Sequence, residues 1–130
     1  MKNKNNNFVK FGFIGIILMF ILLMMVPTNK MQLNGKDFLD KYNTTPNAVL
    51  MDVRTPDEFS AGHINGAIDV DYDNQSFESE IKKLDISKTY FVYCRSGNRS
   101  GKAITIMKTN GIKNIYELQG GIKTFPELIK

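Results

Sequence analysis

The 130-residue chain has one cysteine, one histidine and no tryptophan. A single thiol excludes an intramolecular disulfide, and a Cys/His zinc site is out of reach. The missing tryptophan excludes nothing. Acid is absent from residues 1–30, where the charged side chains are Lys2, Lys4, Lys10 and Lys30. All 13 acidic residues lie in 31–130, balanced there by the other 13 of the 17 basic ones. The net charge of +4 therefore belongs to the N-terminal segment. That excludes a basic nucleic-acid-binding domain, and no nucleic acid is expected as a partner. The length has room for one domain. A hydrophobic fraction of 42% suits a folded chain rather than a disordered one.

Residues 1–7 are polar and positive, and Phe11 to Val26 is an unbroken run without charge. Counted from Phe8, the stretch 8–26 would form a helix of about 28 Å, close to the hydrocarbon thickness of a bilayer. Lys10 would snorkel to the headgroups. Pro27 ends the run. Segment 1–30 is thus expected to be an uncleaved signal-anchor helix, with a cleaved signal peptide as the alternative. The run closes Leu-Leu-Met-Met-Val-Pro, without the small residues that a cleavage site needs. Without a cysteine here, lipoprotein attachment is excluded. Lys2, Lys4 and Lys10 keep the N-terminus in the cytoplasm by the positive-inside rule. The domain 31–130 is then expected on the extracytoplasmic side, membrane-anchored, or secreted or periplasmic after cleavage.

From residue 31 on, strand and helix character alternate. Asn34 caps a predicted helix over 35–41, with Phe38 and Leu39 as its apolar residues. Ala48–Met51 is a continuous apolar run ending at Asp52, as in a strand buried on both faces. Pro56 opens a helix over 56–61, and Gly62 ends it. Phe77, Ile81 and Leu84 share one face of a helix over 77–84. Tyr90–Tyr93 is a second strong strand. A helix over 99–110 turns Ala103, Ile104 and Met107 inward and closes at Gly111, and 114–118 is a third strand. This order predicts an α/β fold in three layers: a central, mainly parallel sheet with helices on both faces, preceded by the hydrophobic helix. Ligands of such folds bind outside the carboxyl ends of the strands, where Cys94 stands.

The strongest chemical signal is Cys94-Arg95-Ser96-Gly97-Asn98-Arg99-Ser100. A strand leads into this loop and a helix leaves it, so several backbone N–H groups turn toward one point. The helix N-terminus, Arg95 and Arg99 all favour a thiolate at Cys94. The same donors would hold an anionic substrate, and Gly97 permits the tight turn. Loops with C-x5-R spacing cradle a tetrahedral phosphate in cysteine-dependent phosphatases. Here Cys94 and Arg99 are spaced C-x4-R, and a smaller cradle suits a sulfur atom.

The chain resembles a single-domain rhodanese, a sulfurtransferase. Three motifs carry the likeness across nearly all of residues 31–130. The first is Asp52-Val53-Arg54-Thr55-Pro56-Asp57-Glu58-Phe59 followed by Gly62-His63-Ile64-Asn65-Gly66-Ala67-Ile68. The second is the cysteine loop from Tyr93 to Ser100, and the third is Leu118-Gln119-Gly120-Gly121-Ile122. One departure is Phe125, where the family commonly has tryptophan. The resemblance implies covalent catalysis in two steps. Cys94 attacks the outer sulfur of thiosulfate or a similar anionic donor and becomes a persulfide. Cyanide or a thiol then removes that sulfur. Arg95, Ser96, Gly97, Asn98 and Arg99 would bind the donor, and no metal or organic cofactor is needed. A partner-dependent persulfide carrier or redox module is the alternative, and a cysteine-dependent phosphatase or arsenate reductase is disfavoured by the short loop.

Asp52, Arg54 and Glu58 read as scaffold, with Arg54 and Glu58 spaced to pair across the start of the helix. His63 reads as a hydrogen-bonded structural histidine. Asp69, Asp71 and Asp73 lack the glycine and distal glutamate of a calcium loop and read as a solvated acidic stretch. Tyr72, Tyr90 and Tyr116 read as packing residues.

Overall fold

A computed structural model describes residues 31–130. The expected membrane segment, 8–26, lies outside the described residues. Five strands run through the described residues: β1 (Gln32–Leu33), β2 (Ala48–Asp52), β3 (Ile68–Asp69), β4 (Thr89–Tyr93) and β5 (Ile115–Leu118). Four α-helices connect them: α1 (Gly35–Thr44), α2 (Pro56–Ala61), α3 (Phe77–Lys82) and α4 (Asn98–Thr109). Short 3-10 turns at Ile122–Thr124 and Pro126–Leu128 complete the chain. The sheet order is β1-β5-β4-β2-β3, and every neighbouring pair is parallel.

Side chains alternate across the sheet as the pleat requires. Tyr90, Val92 and Cys94 face α3 and α4, where Phe77, Ile81, Ala103 and Met107 close one core. Phe91 and Tyr93 face the other way, toward Phe38 of α1, Ile64 and Ile122. The three layers expected from the alternating pattern are present. Each fully buried side chain of this size contributes roughly 1.5–3 kcal/mol. Phe91 is fully buried, packs edge-to-face with the Phe38 and Tyr42 rings and stacks on Tyr116.

The capping residues stand where the sequence indicates, but α3 stops at Lys82, short of the expected Leu84, and α4 runs from Asn98 to Thr109 rather than 99–110. Asn34 accepts a hydrogen bond from the Asp37 N–H, and Pro56 stands in the first turn of α2. Gly111, at φ 92°, follows the C-cap of α4. Helix α1 runs past the expected Lys41 to Thr44. The strands β1 and β3 had no sequence signal. Each has two residues, too few to show a period, and each lies at a sheet edge where one neighbour defines it.

The topology creates a crevice. From β2 the chain moves outward to β3, and from β4 it moves the other way to β5. The segments leaving the carboxyl ends of β2 and β4 therefore diverge, and a ligand site is expected between them. Arg54 leaves β2 on one side of that crevice, and Cys94 leaves β4 on the other.

Candidate active site

Cys94 follows the last residue of the central strand β4 and is 1% exposed. Its backbone is fixed from the C-terminal side of the chain. The Ile122 N–H donates to the Cys94 carbonyl at 2.9 Å, and the Lys123 N–H donates to that of Arg95 at 3.0 Å. Gly121, at φ 69°, lies flat against the Arg95 carbonyl, where any Cβ would collide with it. The Gly120-Gly121 motif is therefore part of the cysteine loop's support.

The loop then reverses. Gly97 adopts φ 99° in the left-handed region and starts α4 without a side-chain cap. Its N–H donates to Cys94 Sγ at 3.1 Å. The N–H groups of Asn98, Arg99 and Ser100 begin the helix and have no acceptor within it. This places the positive end of a 12-residue helix beside the sulfur.

The charged residues divide differently from the sequence expectation. Arg54 does not pair with Glu58. It precedes the Thr55 cap, so it is not on the helix, and its guanidinium folds back on β2. There it holds Asp52 through Nη2 at 2.7 Å and Nε at 3.0 Å, and Nη2 also donates to the Gly62 carbonyl at 2.7 Å. Burial pushes the Arg54 guanidinium down, but the Asp52 hydrogen bond and charge outweigh it and leave it raised.

Glu58 crosses the crevice to Arg99 instead. Arg99 Nη1 and Nη2 meet the two carboxylate oxygens at 2.7 and 2.9 Å, and Asp73 adds a third contact at 3.4 Å. The Arg99 hydrogen bond holds the Glu58 carboxyl down at about 2. Arg99 is raised in turn, chiefly by Glu58, with smaller contributions from Cys94 and Asp73. Its charge thus stays near the sulfur but is committed to carboxylates.

Arg95 is exposed, as are Ser96 and Asn98. With Lys123, Arg54 and Glu58, Arg95 lines a cavity of about 410 Å³ whose apolar wall includes Ile122 and Ile129. It is the loop's outward-facing cation. His63 has the structural role expected of it: Nδ1 lies 2.8 Å from the Phe59 carbonyl and the ring stacks on Phe59 at 3.7 Å. Tyr72 and Tyr90 pack in one core and Tyr116 in the other, also as expected.

The acidic stretch is not simply solvated. Asp73 meets Arg99, and Asp69 is partly buried beside Asp52, its register partner on β2. Asp69 Oδ1 is buried without a hydrogen-bond partner among the described residues. Burial, and then the Asp52 and Asp71 charges, push its carboxyl up to about 6.

Two further residues touch the sulfur's surroundings and received no role from the sequence. Ser100 is fully buried, with Oγ 3.4 Å from Cys94 Sγ and 2.7 Å from Glu117 Oε1. Glu117, on β5, is 8% exposed, and its other oxygen accepts from Gln32 Nε2 at 2.9 Å. A signal existed: an acid within a strand otherwise flanked by apolar residues is out of place in a parallel sheet covered on both faces.

Comparisons with known proteins bear on the fold and the family. A structure of a rhodanese-related protein from Thermoplasma volcanium superposes with a TM-score of 0.64 at 29% identity, covering 74% of this chain and 90% of that one. The Bacillus subtilis protein YqhL is 36% identical over 83 residues, which is 64% of each chain. The thiosulfate sulfurtransferase GlpE of Pseudomonas entomophila is 36% identical over 76 residues, 58% of this chain and 68% of that protein. The chain thus spans about two thirds of the length of these two relatives. The sequence model of the rhodanese-like domain matches residues 35–127, which takes in every strand but β1 together with the whole cysteine loop, and the chain belongs to the rhodanese-like domain family.

Proposed function

We propose that the domain is a sulfurtransferase that carries a sulfane sulfur on Cys94. The observation that carries this reading is the Gly97 N–H directed at Cys94 Sγ at 3.1 Å, at the start of α4. A sulfur atom that bears negative charge is stabilised there, as thiolate before transfer and as persulfide after it. The GlpE relative, named a thiosulfate sulfurtransferase, supports thiosulfate as donor.

The exposed Arg95, with Lys123 beside it, draws the dianion into the crevice. The Cys94 thiolate attacks the outer sulfur. A Cys94 S–S bond forms, the S–S bond of thiosulfate breaks, and its electron pair leaves with sulfite. The Gly97 N–H, backed by the helix-start N–H groups of Asn98, Arg99 and Ser100, holds the persulfide. Arg99, fixed by Glu58, keeps positive charge near the departing anion. Cyanide or a thiol then takes the outer sulfur and restores the thiolate.

The test is an intact-mass measurement on the full chain in mild detergent, incubated with thiosulfate without reductant. The expected result is the gain of one sulfur atom, absent from Cys94→Ser and reversed by cyanide. No gain, with Cys94 still open to alkylation, would exclude thiosulfate as donor.

For residues 8–26 the proposal is a membrane anchor with the domain extracytoplasmic. The charge-free run from Phe11 to Val26 and the lysines ahead of it support this. Protease added to intact cells should degrade the domain, and full protection would overturn the orientation.

A further inference from the structure

Cys94, Ser100 and Glu117 form a continuous chain of buried contacts: Sγ to Oγ at 3.4 Å, then Oγ to Oε1 at 2.7 Å. A serine hydroxyl has one proton to donate. While Glu117 is a carboxylate, that proton belongs to the short bond with Oε1, and Ser100 can only accept from a Cys94 S–H. When Cys94 is a thiolate, it needs that same proton. The two anions cannot both be served by one hydroxyl, and at these distances they also repel each other. One rearrangement satisfies every atom. The thiol proton moves to Ser100 Oγ, and the Ser100 proton moves to Glu117. The charge then sits on sulfur, facing the Gly97 N–H, and Glu117 becomes a neutral donor to Ser100.

We propose that Ser100 and Glu117 form a buried relay that takes the thiol proton of Cys94 as the nucleophile forms, with Ser100 as the bridge and Glu117 as the acceptor. In the step, the S–H bond of Cys94 and the original O–H bond of Ser100 break. A new O–H bond forms on each of Ser100 and Glu117. No electrons are exchanged with any other group, and the total charge of the triad is unchanged. Ser100 contacts the reacting sulfur, while Glu117 acts through Ser100 as a positioning residue.

The surroundings suit this role. Glu117 Oε2 is held by the neutral Gln32, so the carboxyl keeps one orientation in both states. Glu117 also borders a cavity of about 350 Å³ lined by Gln32, Gly97, Gly101, Thr105 and Lys108. This cavity has its own lining residues, distinct from those beside Arg95. The charged groups around the relay are Lys108 of α4, which lines the same cavity as Glu117, and Arg99 of α4 near Cys94, with Glu58 of α2 and Asp73 behind it.

The relay deepens the sulfurtransferase reading but is tested without a sulfur donor. The thiol–carboxylate and thiolate–carboxylic acid forms hold the same number of protons, so their ratio does not depend on pH. Alkylation of Cys94 by iodoacetamide in the full chain should therefore be flat over about pH 5 to 8. With Glu117→Gln, Glu117→Leu or Ser100→Ala, the thiolate requires net proton loss, and the rate should rise about tenfold per pH unit. Ser100→Thr keeps the hydroxyl and should stay flat. A role in packing alone would scale the rate equally at every pH. Removing a nearby negative charge would by itself raise the rate at low pH. A wild-type rate that climbs tenfold per unit, or Glu117 variants as flat as wild type, would overturn the relay. The wild-type and Ser100→Thr profiles decide the matter even where a Glu117 variant does not fold. Sulfur gain from thiosulfate with a climbing alkylation profile would sink the relay alone. A flat wild-type profile that Ser100→Ala abolishes, without sulfur gain, would keep the relay and sink thiosulfate transfer.

Discussion

Arg99 and Glu58 are 41 residues apart, yet they meet in a two-point ion pair across the crevice, at 2.7 and 2.9 Å. The pair ties the first turn of the helix that follows Cys94 to the helix that follows β2. Both side chains are mostly covered, so solvent screens them less than a surface pair. Arg99→Leu would leave the Glu58 carboxylate uncompensated beside an anionic sulfur. Sulfur transfer from thiosulfate should fall at least about tenfold, equivalent to about 1.4 kcal/mol. Glu58→Gln should cost less, and the double variant should recover part of the loss. A steady-state double-mutant cycle should give a coupling of about 0.5–3 kcal/mol. Additive effects would mean that the pair does not act as a unit.

The same pair sets part of the acid limit of the fold. The Glu58 carboxyl is held at about 2, below its ordinary 4.5. A depressed carboxyl stabilises the native state above its unfolded value and loses that contribution as pH falls through the folded one. The window is therefore from about 4.5 down to about 2. Thermal unfolding followed across that window should show a smaller acid-side drop for Glu58→Gln than for wild type. Parallel curves would contradict the assignment.

Asp69 works in the opposite direction. Its carboxyl is pushed from 3.8 up to about 6, so ionisation opposes folding. The native state gains most below the ordinary value and loses that gain as pH rises toward about 6. Asp69→Asn should raise the melting temperature at pH 7, with the difference from wild type disappearing in acid. A variant less stable at neutral pH would show that the charge is needed.

Arg54 and Asp52 are a buried pair, at 5% and 0% exposure. Arg54→Met strands a buried carboxylate and frees the Gly62 carbonyl. The expected cost is about 3–5 kcal/mol, read as a lower urea midpoint at an unchanged slope. Removing both charges, with Asp52→Asn added, should restore part of it.

Two glycines with positive φ separate strain from function. Gly111 has open space where a Cβ would go, so Gly111→Ala should cost roughly 1–2 kcal/mol of stability and leave transfer intact. Gly121 has the Arg95 carbonyl in that place. Gly121→Ala must move the cysteine loop, and transfer should fall well beyond the stability loss. Equal activity in the two variants would show that the loop tolerates the shift.

Much of this molecule is legible in its residues. The apolar run Ala48–Met51, the Tyr90–Tyr93 strand and the glycine stops at 62 and 111 are local signals, and the elements lie where they point. The cysteine loop is legible for the same reason: strand, turn and helix start are consecutive in the chain. The edge strands were not, because two residues carry no period and their pairing comes from β2 and β5.

Spacing also suggested the wrong partner for Glu58. An i, i+4 rule applies only within a helix, and Arg54 stands ahead of the cap. Which carboxylate meets which guanidinium followed from the sheet order, which brings the ends of β2 and β4 side by side. Ser100 and Glu117 were out of reach in the same way, since β5 must lie against β4 before a carboxylate can stand behind the sulfur. The order of residues decides helices, strands and the reactive loop because those depend on near neighbours. Partners for buried charge depend on distances across the sheet, and only the folded chain defines those.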